Sequence, residues 1–163
     1  MGNRATVIFT DGKSFSPAVY LHWNGGAESV YGFLEEANRR KIRGSEDLQY
    51  QCARFIQIAG EFLDQDEFGS TSLGVADSPK TDKPKDLAKV KTDLGDNGIY
   101  LVNRTNGAME VRRFREDYKN KIMIEFTPEE VAQERKEAYA HEYGLLKDEF
   151  IKIAHGRLVS KYG

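Results

Sequence analysis

Gly98-Ile99-Tyr100-Leu101-Val102-Asn103-Arg104-Thr105-Asn106-Gly107-Ala108-Met109-Glu110-Val111-Arg112-Arg113-Phe114 is two alternating apolar runs around an Asn-Gly pair. Asn-Gly tolerates the left-handed backbone of a tight hairpin turn, and the flanking residues are β-branched or aromatic. The stretch therefore predicts a two-stranded antiparallel ribbon. Strand periodicity sets Met109, Val111 and Arg113 on one face and Glu110, Arg112 and Phe114 on the other.

Working outward, Ala5-Thr6-Val7-Ile8-Phe9-Thr10 and Ala18-Val19-Tyr20-Leu21-His22-Trp23 read as a second antiparallel pair, joined by the loop from Asp11 to Pro17. Ile122 to Phe126 reads as a last strand, and Ser70 to Ala76 as a short one with Gly74 inside it. Between these runs the period changes. Val30, Phe33, Leu34 and Ala37 recur at helical spacing, with Gly44 closing the helix. Ser45 reads as the cap of a second helix, whose stripe is Leu48, Cys52, Phe55, Ile56, Ala59, Phe62 and Leu63. Thr127-Pro128-Glu129-Glu130 is a helix start with a capping box. Beyond it a charged helix carries Val131, Ala138, Tyr139, Leu145, Leu146, Phe150, Ile153 and Val159 along one side. Unbroken to Gly163 it would reach about 54 Å, longer than a domain of this size is wide. The fold expected is α+β: a small antiparallel sheet packed by a helix pair, with a long C-terminal helix. Residues 1–126 form the core, 77–93 a charged mobile loop containing Pro79 and Pro84 with room for one helical turn around Leu87 to Val90, and 127–163 a helical extension.

The 163 residues are 39% hydrophobic and 31% charged, which fits one folded domain and not a disordered chain. The formal charge of −2 disfavours a protein whose task is gripping a phosphate backbone. Basic clusters exist at Arg39-Arg40-Lys41-Ile42-Arg43 and at Arg112, Arg113 and Arg115, each among carboxylates. One cysteine, Cys52, fits a reducing compartment, and its place on an apolar stripe predicts an inert thiol. No run has the length of a signal or membrane span, and the myristoylation-like start Gly2 to Thr6 opens a strand instead, so a cytoplasmic protein is expected.

The turn His22-Trp23-Asn24-Gly25-Gly26 is the most distinctive local feature. Backbone amides after a glycine pair at a helix start can hold an anion, with His22 and Asn24 adding side-chain contacts. The plainer reading is a corner that needs flexible residues, with Trp23 plugging the edge of the core. Gly95-Asp96-Asn97-Gly98 is turn chemistry before a strand, with a catalytic role for Asp96 as the lesser reading. Asp64-Gln65-Asp66-Glu67-Phe68-Gly69 resembles the opening of a calcium loop. It fails at the fifth ligand position, Phe68, and at the twelfth, Val75. His141 and His155 would lie about 21 Å apart on one helix, so no metal and no cofactor is implied.

Asn3-Arg4-Ala5, Tyr20-Leu21-His22-Trp23-Asn24-Gly25-Gly26, Ser29-Val30, Phe33-Leu34 and Gly95-Asp96-Asn97-Gly98-Ile99-Tyr100 fall in order over residues 3–102. As a set they resemble a family of small uncharacterised proteins of bacteriophages, plasmids and other mobile elements. The resemblance implies an accessory protein acting inside a bacterial cell. Such a protein works by binding a partner, to inhibit a host defence system or to regulate the element. It carries over no catalytic residue. The expected partner is a protein, with homodimerisation through the C-terminal helix as a further expectation and no membrane contact. A small enzyme or nucleotide-binding protein built on His22 to Gly26, Asp96 and Asn97 is the alternative. Nucleic-acid binding through Arg112, Arg113 and Arg115 is the second alternative.

Overall fold

Ile99–Thr105 and Ala108–Asp117 pair along their length as an antiparallel ribbon, and four more strands extend it into one six-stranded sheet. The computed structural model describes residues 2–63, 72–90, 96–105, 108–120, 122–141 and 148. In chain order its elements are β1 (Ala5–Phe9), β2 (Ala18–Leu21), α1 (Ala27–Arg39), α2 (Leu48–Leu63), β3 (Leu73–Ala76), α3 (Pro84–Leu87), β4 (Ile99–Thr105), β5 (Ala108–Asp117), β6 (Ile122–Glu125) and α4 (Pro128–His141). The strand order is β3-β2-β1-β4-β5-β6.

The β1–β2 pair and the β4–β5 ribbon are antiparallel as expected, with Val7 opposite Val19 and Val102 opposite Val111. The sheet as a whole is not antiparallel. β1 and β4 run parallel, from Thr6 opposite Ile99 to Phe9 opposite Val102. Both are central and buried, so the consecutive apolar residues of Val7-Ile8-Phe9 and Ile99-Tyr100-Leu101-Val102 face cores on both sides.

On one face Val7, Phe9, Tyr100 and Val102 share a core with Val30, Phe33 and Leu34 of α1 and Phe55 and Ile58 of α2. Rings interlock edge to face: Phe55 lies 5.4 Å from Phe9 and 6.1 Å from Phe33, which also meets Phe62 at 5.6 Å. On the opposite face, the helical turn expected around Leu87 to Val90 is present, and it packs on the sheet. Leu87 and Val90, three apart on the turn around α3, are buried against Ile8, Leu101, Phe114 and Met123. Lys80, Lys83, Lys85 and Lys89 are exposed while Leu87 and Val90 seal the second core.

Three helix ends show how local chemistry was spent. Lys41, at φ 56°, closes α1, and the Ile42 amide donates to the Ala37 carbonyl at 3.0 Å. Gly44 is therefore not the stop. Asp47 caps α2, accepting from the Tyr50 amide at 3.1 Å, which frees Ser45 for another task. At α4 the capping box forms as expected: Glu130 N donates to Thr127 Oγ1 at 3.2 Å, and Thr127 N to Glu130 Oε1 at 3.0 Å. The expected helix beyond His141, the Asn106-Gly107 turn, Asp64 to Gly69 and His155 lie outside the described residues. No described helix is long and apolar enough to cross a membrane.

Candidate functional site

The two sequence motifs come together on the strand that enters the sheet. The His22 carbonyl accepts from Asn3 N at 3.0 Å, and Gly25 N donates to the Asn3 carbonyl at 2.7 Å. From the other side Asn97 N donates to the Arg4 carbonyl at 3.1 Å. The Asn97 side-chain amide bonds Asn3 Oδ1 at 2.6 Å and the Arg4 carbonyl at 2.9 Å. Asp96 Oδ2 accepts from Arg4 N at 3.2 Å. His22 to Gly26 and Asp96-Asn97 are thus the two jaws of a clasp around Asn3-Arg4.

Within the first jaw the side chains of His22 and Asn24 and the main chain of Gly25 have local partners. Asn24, at φ 58°, donates from its amide to Ser29 Oγ at 3.1 Å. A side chain at Gly25 would meet the Asn3 carbonyl oxygen at 2.6 Å, so glycine is needed there for close approach. The Gly25 carbonyl accepts from the buried Tyr100 hydroxyl at 2.8 Å. The Glu28 carboxylate crowds Gly26, 2.7 Å from where a Cβ would stand, so the start of α1 already has an acid beside it. His22 Nδ1 shares a hydrogen bond of 3.0 Å with the Tyr20 hydroxyl, and its ring meets the half-exposed Trp23 edge to face at 5.1 Å. Trp23 does not plug the core.

The three candidate arginines have different surroundings. Arg113 is 2% exposed, with its guanidinium 3.6 Å above the Tyr100 ring. It donates to the Asn97 and Ile99 carbonyls at 2.8 Å each and to Glu134 of α4 at 2.7 Å. Arg112 forks onto both oxygens of Glu125 at 2.8 Å and reaches Asp82 at 2.7 Å. Its hydrogen bonds with Glu125, against the cost of burial, hold it above the usual arginine range. Arg115 alone of the three is exposed. The expected basic patch is divided between a core ion pair, a surface cross-link and one solvated side chain.

Sequence reasoning missed the cluster around Arg113. Tyr31 lies 6.1 Å from Tyr100 and 6.0 Å from Tyr139, in edge-to-face contact with both. Arg135 donates to the Tyr139 hydroxyl at 2.8 Å and to the Met109 carbonyl at 2.9 Å, and that hydroxyl donates to Glu35 at 2.7 Å. Burial pushes the Tyr139 hydroxyl up to about 12 and drives Tyr31 and Tyr100 up as well. None of the three exchanges its proton near neutrality. The signal was available: Tyr31 and Glu35, like Arg135 and Tyr139, are four apart on helices.

Beside this cluster, α4 and β5 bound an open groove of about 580 Å³ lined by Met109, Val111, Val131, Ala132 and Tyr139, with Glu110 and Lys136 also in its wall. Among the described residues no group of three or more His, Cys, Asp or Glu side chains could hold a metal ion. No protein-family model, no curated protein and no solved structure matches the chain.

Cys52 sits on the apolar side of α2, 4% exposed, with Sγ 3.7 Å from the Pro17 carbonyl. Burial pushes its thiol up, so the nucleophilic thiolate is scarcer than in a free cysteine. We expect the native protein to react with maleimide at pH 7.5 at least about 100-fold more slowly than after unfolding in urea, as read by mass spectrometry. Comparable rates in the two states would overturn the assignment of Cys52 as a core residue.

Proposed function

We propose that this chain acts by binding a partner protein, and that the groove between α4 and β5 is its contact surface. The observation that carries this reading is the apolar wall of Met109, Val111, Val131, Ala132 and Tyr139, open beside charged Glu110 and Lys136. A concave apolar surface with a few charged neighbours suits the apolar face of an amphipathic helix. The residues that an enzyme at the His22 turn would need are already engaged: Asp96, Asn97 and Gly25 hold the main chain of Asn3-Arg4, and Asn24 holds Ser29. The resemblance to proteins of phages and plasmids supports a partner drawn from host defence or from the element's own regulation, met in the bacterial cytoplasm.

Val131→Asp places a charge in the wall of the groove, at a part-buried position of α4. A partner recovered from bacterial extract with the wild-type chain is then purified and titrated against both proteins. We expect Val131→Asp to weaken that pair by about tenfold or more, a loss of about 1.4 kcal/mol, at unchanged circular dichroism. Equal affinity of the two proteins would overturn the groove as the contact surface. A variant that altered only self-association in sedimentation would make the occupant a second copy and overturn the hetero-partner.

A further inference from the structure

The connection from α1 to α2 is pinned to the carboxyl ends of the two parallel strands. Ser45, released from capping α2, donates from its amide to the Arg104 carbonyl at 2.7 Å. Its hydroxyl lies 3.2 Å from the Thr10 carbonyl and 2.7 Å from Asn103 Oδ1. These contacts hold residues 40–45 over the ends of β1 and β4. In open sheets ligands collect off the carboxyl ends of parallel strands, where the crevice is lined by loops and not by sheet.

The side chain of Arg104 passes beneath this connection and is 5% exposed. Its guanidinium donates to Asn38 Oδ1 at 2.9 Å, Gln51 Oε1 at 2.9 Å, the Ile42 carbonyl at 3.0 Å and the Arg43 carbonyl at 3.4 Å. Every one of these acceptors is neutral. Arg113, equally buried, has the Glu134 carboxylate at 2.7 Å, whereas no described carboxylate lies within 4.0 Å of Arg104. Glu46 and Glu35 act on it only through space. Neutral acceptors satisfy hydrogen-bond geometry but leave the charge itself uncompensated, which is costly in a low-dielectric site. Beside it Gln51 is 1% exposed, its oxygen is taken by Arg104, and its amide nitrogen is buried with no partner.

Arg104 lines a pocket of about 750 Å³, together with Asn38, Lys41, Arg43, Gly44 and Glu46. Three cations face one carboxylate there, in a chain whose formal charge is −2. Glu46 is held back toward the main chain, its Oε1 accepting from Gly44 N at 3.2 Å, and it keeps its charge. Lys41 and Arg43 are exposed, and Arg43 stacks 4.0 Å over the Tyr50 ring while pairing with Asp47 at 3.2 Å.

We propose that this pocket binds a phosphate monoester, with the buried Arg104 at its base and Lys41 and Arg43 at its mouth. The lining charge matches a dianion, and the volume matches a nucleotide-sized ligand. This site is distinct from the groove of α4 and β5, and neither reading depends on the other.

The test is calorimetric titration of the full chain with orthophosphate, ribose 5-phosphate, adenosine monophosphate and acetate at matched ionic strength. We expect the phosphate compounds to bind and acetate not to. Lys41→Glu with Arg43→Glu, both on the surface, should weaken binding about tenfold or more at unchanged circular dichroism. Arg104→Lys keeps the charge but loses the planar fork, and should also weaken binding. Orthophosphate binding as tightly as the esters would name free phosphate as the source of the group; tighter binding of the esters would name an organic phosphate. No heat with any phosphate probe up to about 10 mM would overturn the site. So would equal binding by the double variant. A single-stranded oligonucleotide binding far more tightly than the monoesters, with steep salt dependence, would replace the small ligand by a nucleic-acid backbone.

Discussion

Replacing Gly98 by alanine is expected to lower the unfolding free energy by about 4 kcal/mol or more, into the range reached only by gross steric or core damage. Gly98 enters β4 at φ 66°, where a side chain costs about 1–2 kcal/mol in backbone strain alone. The larger cost is collision. A Cβ there would overlap the Phe114 carbonyl oxygen and stand 3.1 Å from the Arg115 Cα. Neither neighbour can retreat easily. Phe114 is opposite both Ile99 and Glu125, so β5 is held from two sides at that point. Gly98 is held as well, because its carbonyl accepts from Thr6 N at 2.9 Å and so ties β4 to β1. Gly12→Ala is the control: it has φ 95° but nothing within 4 Å of the added carbon, and should lose only the backbone cost of about 1–2 kcal/mol. Urea unfolding followed by circular dichroism reads both. A loss at Gly98 no larger than at Gly12 would mean that β4 and β5 do not close on each other at this residue.

That contrast shows what one sequence can and cannot display. Asn106-Gly107 between alternating runs pointed to the β4–β5 ribbon, and Thr127 to Glu130 to the start of α4, because each signal is local chemistry with one good solution. The faces of β5 were legible too: Val111 lies in the first core and Phe114 in the second. The parallel pairing of β1 with β4 was not, because nothing in either strand names a partner some ninety residues away. The available hint was that Val7-Ile8-Phe9 has no polar alternate, the pattern of a strand covered on both faces. In 77–90 the helical turn around Leu87 to Val90 was legible, but among so many lysines and aspartates the burial of those two side chains was not. The His22 and Asp96 motifs stood out by composition, but composition cannot distinguish groups that hold a ligand from groups that hold Asn3 and Arg4. Arg113 was legible as sharing the face of Met109 and Val111, and Arg104 falls on the face of Tyr100 and Val102. That pattern does not tell whether a basic residue there meets water or is roofed by a helix.

The roof over Arg113 gives the second large effect. Of the described α4 side chains Ala138 is buried and Tyr139 packs partly against the core, while Pro128 to Glu130 are exposed, so polar contacts carry much of the helix's attachment. Arg113 to Glu134 at 2.7 Å is its deepest attachment, assisted by Arg135 to Glu35 at 3.7 Å and by Tyr139 to Glu35. Arg113→Met should cost about 3–5 kcal/mol. It leaves the Asn97 and Ile99 carbonyls without their donor, removes the stack on Tyr100, and frees Glu134 from its partner. Glu134→Gln should cost less, about 1–2 kcal/mol, because Glu134 is partly exposed and Arg113 keeps both carbonyl bonds. In a double-mutant cycle the two changes should couple by about 1–2 kcal/mol, since the second finds the bond already gone. Hydrogen exchange distinguishes a latch from a generic core contact. Glu134→Gln should raise exchange across α4 while the amides of β1 and β4 keep their protection. If α4 stays as protected as the central strands, or the coupling is zero, the ion pair does not fasten this helix and the contacts of Ala138, Arg135 and Tyr139 hold it instead.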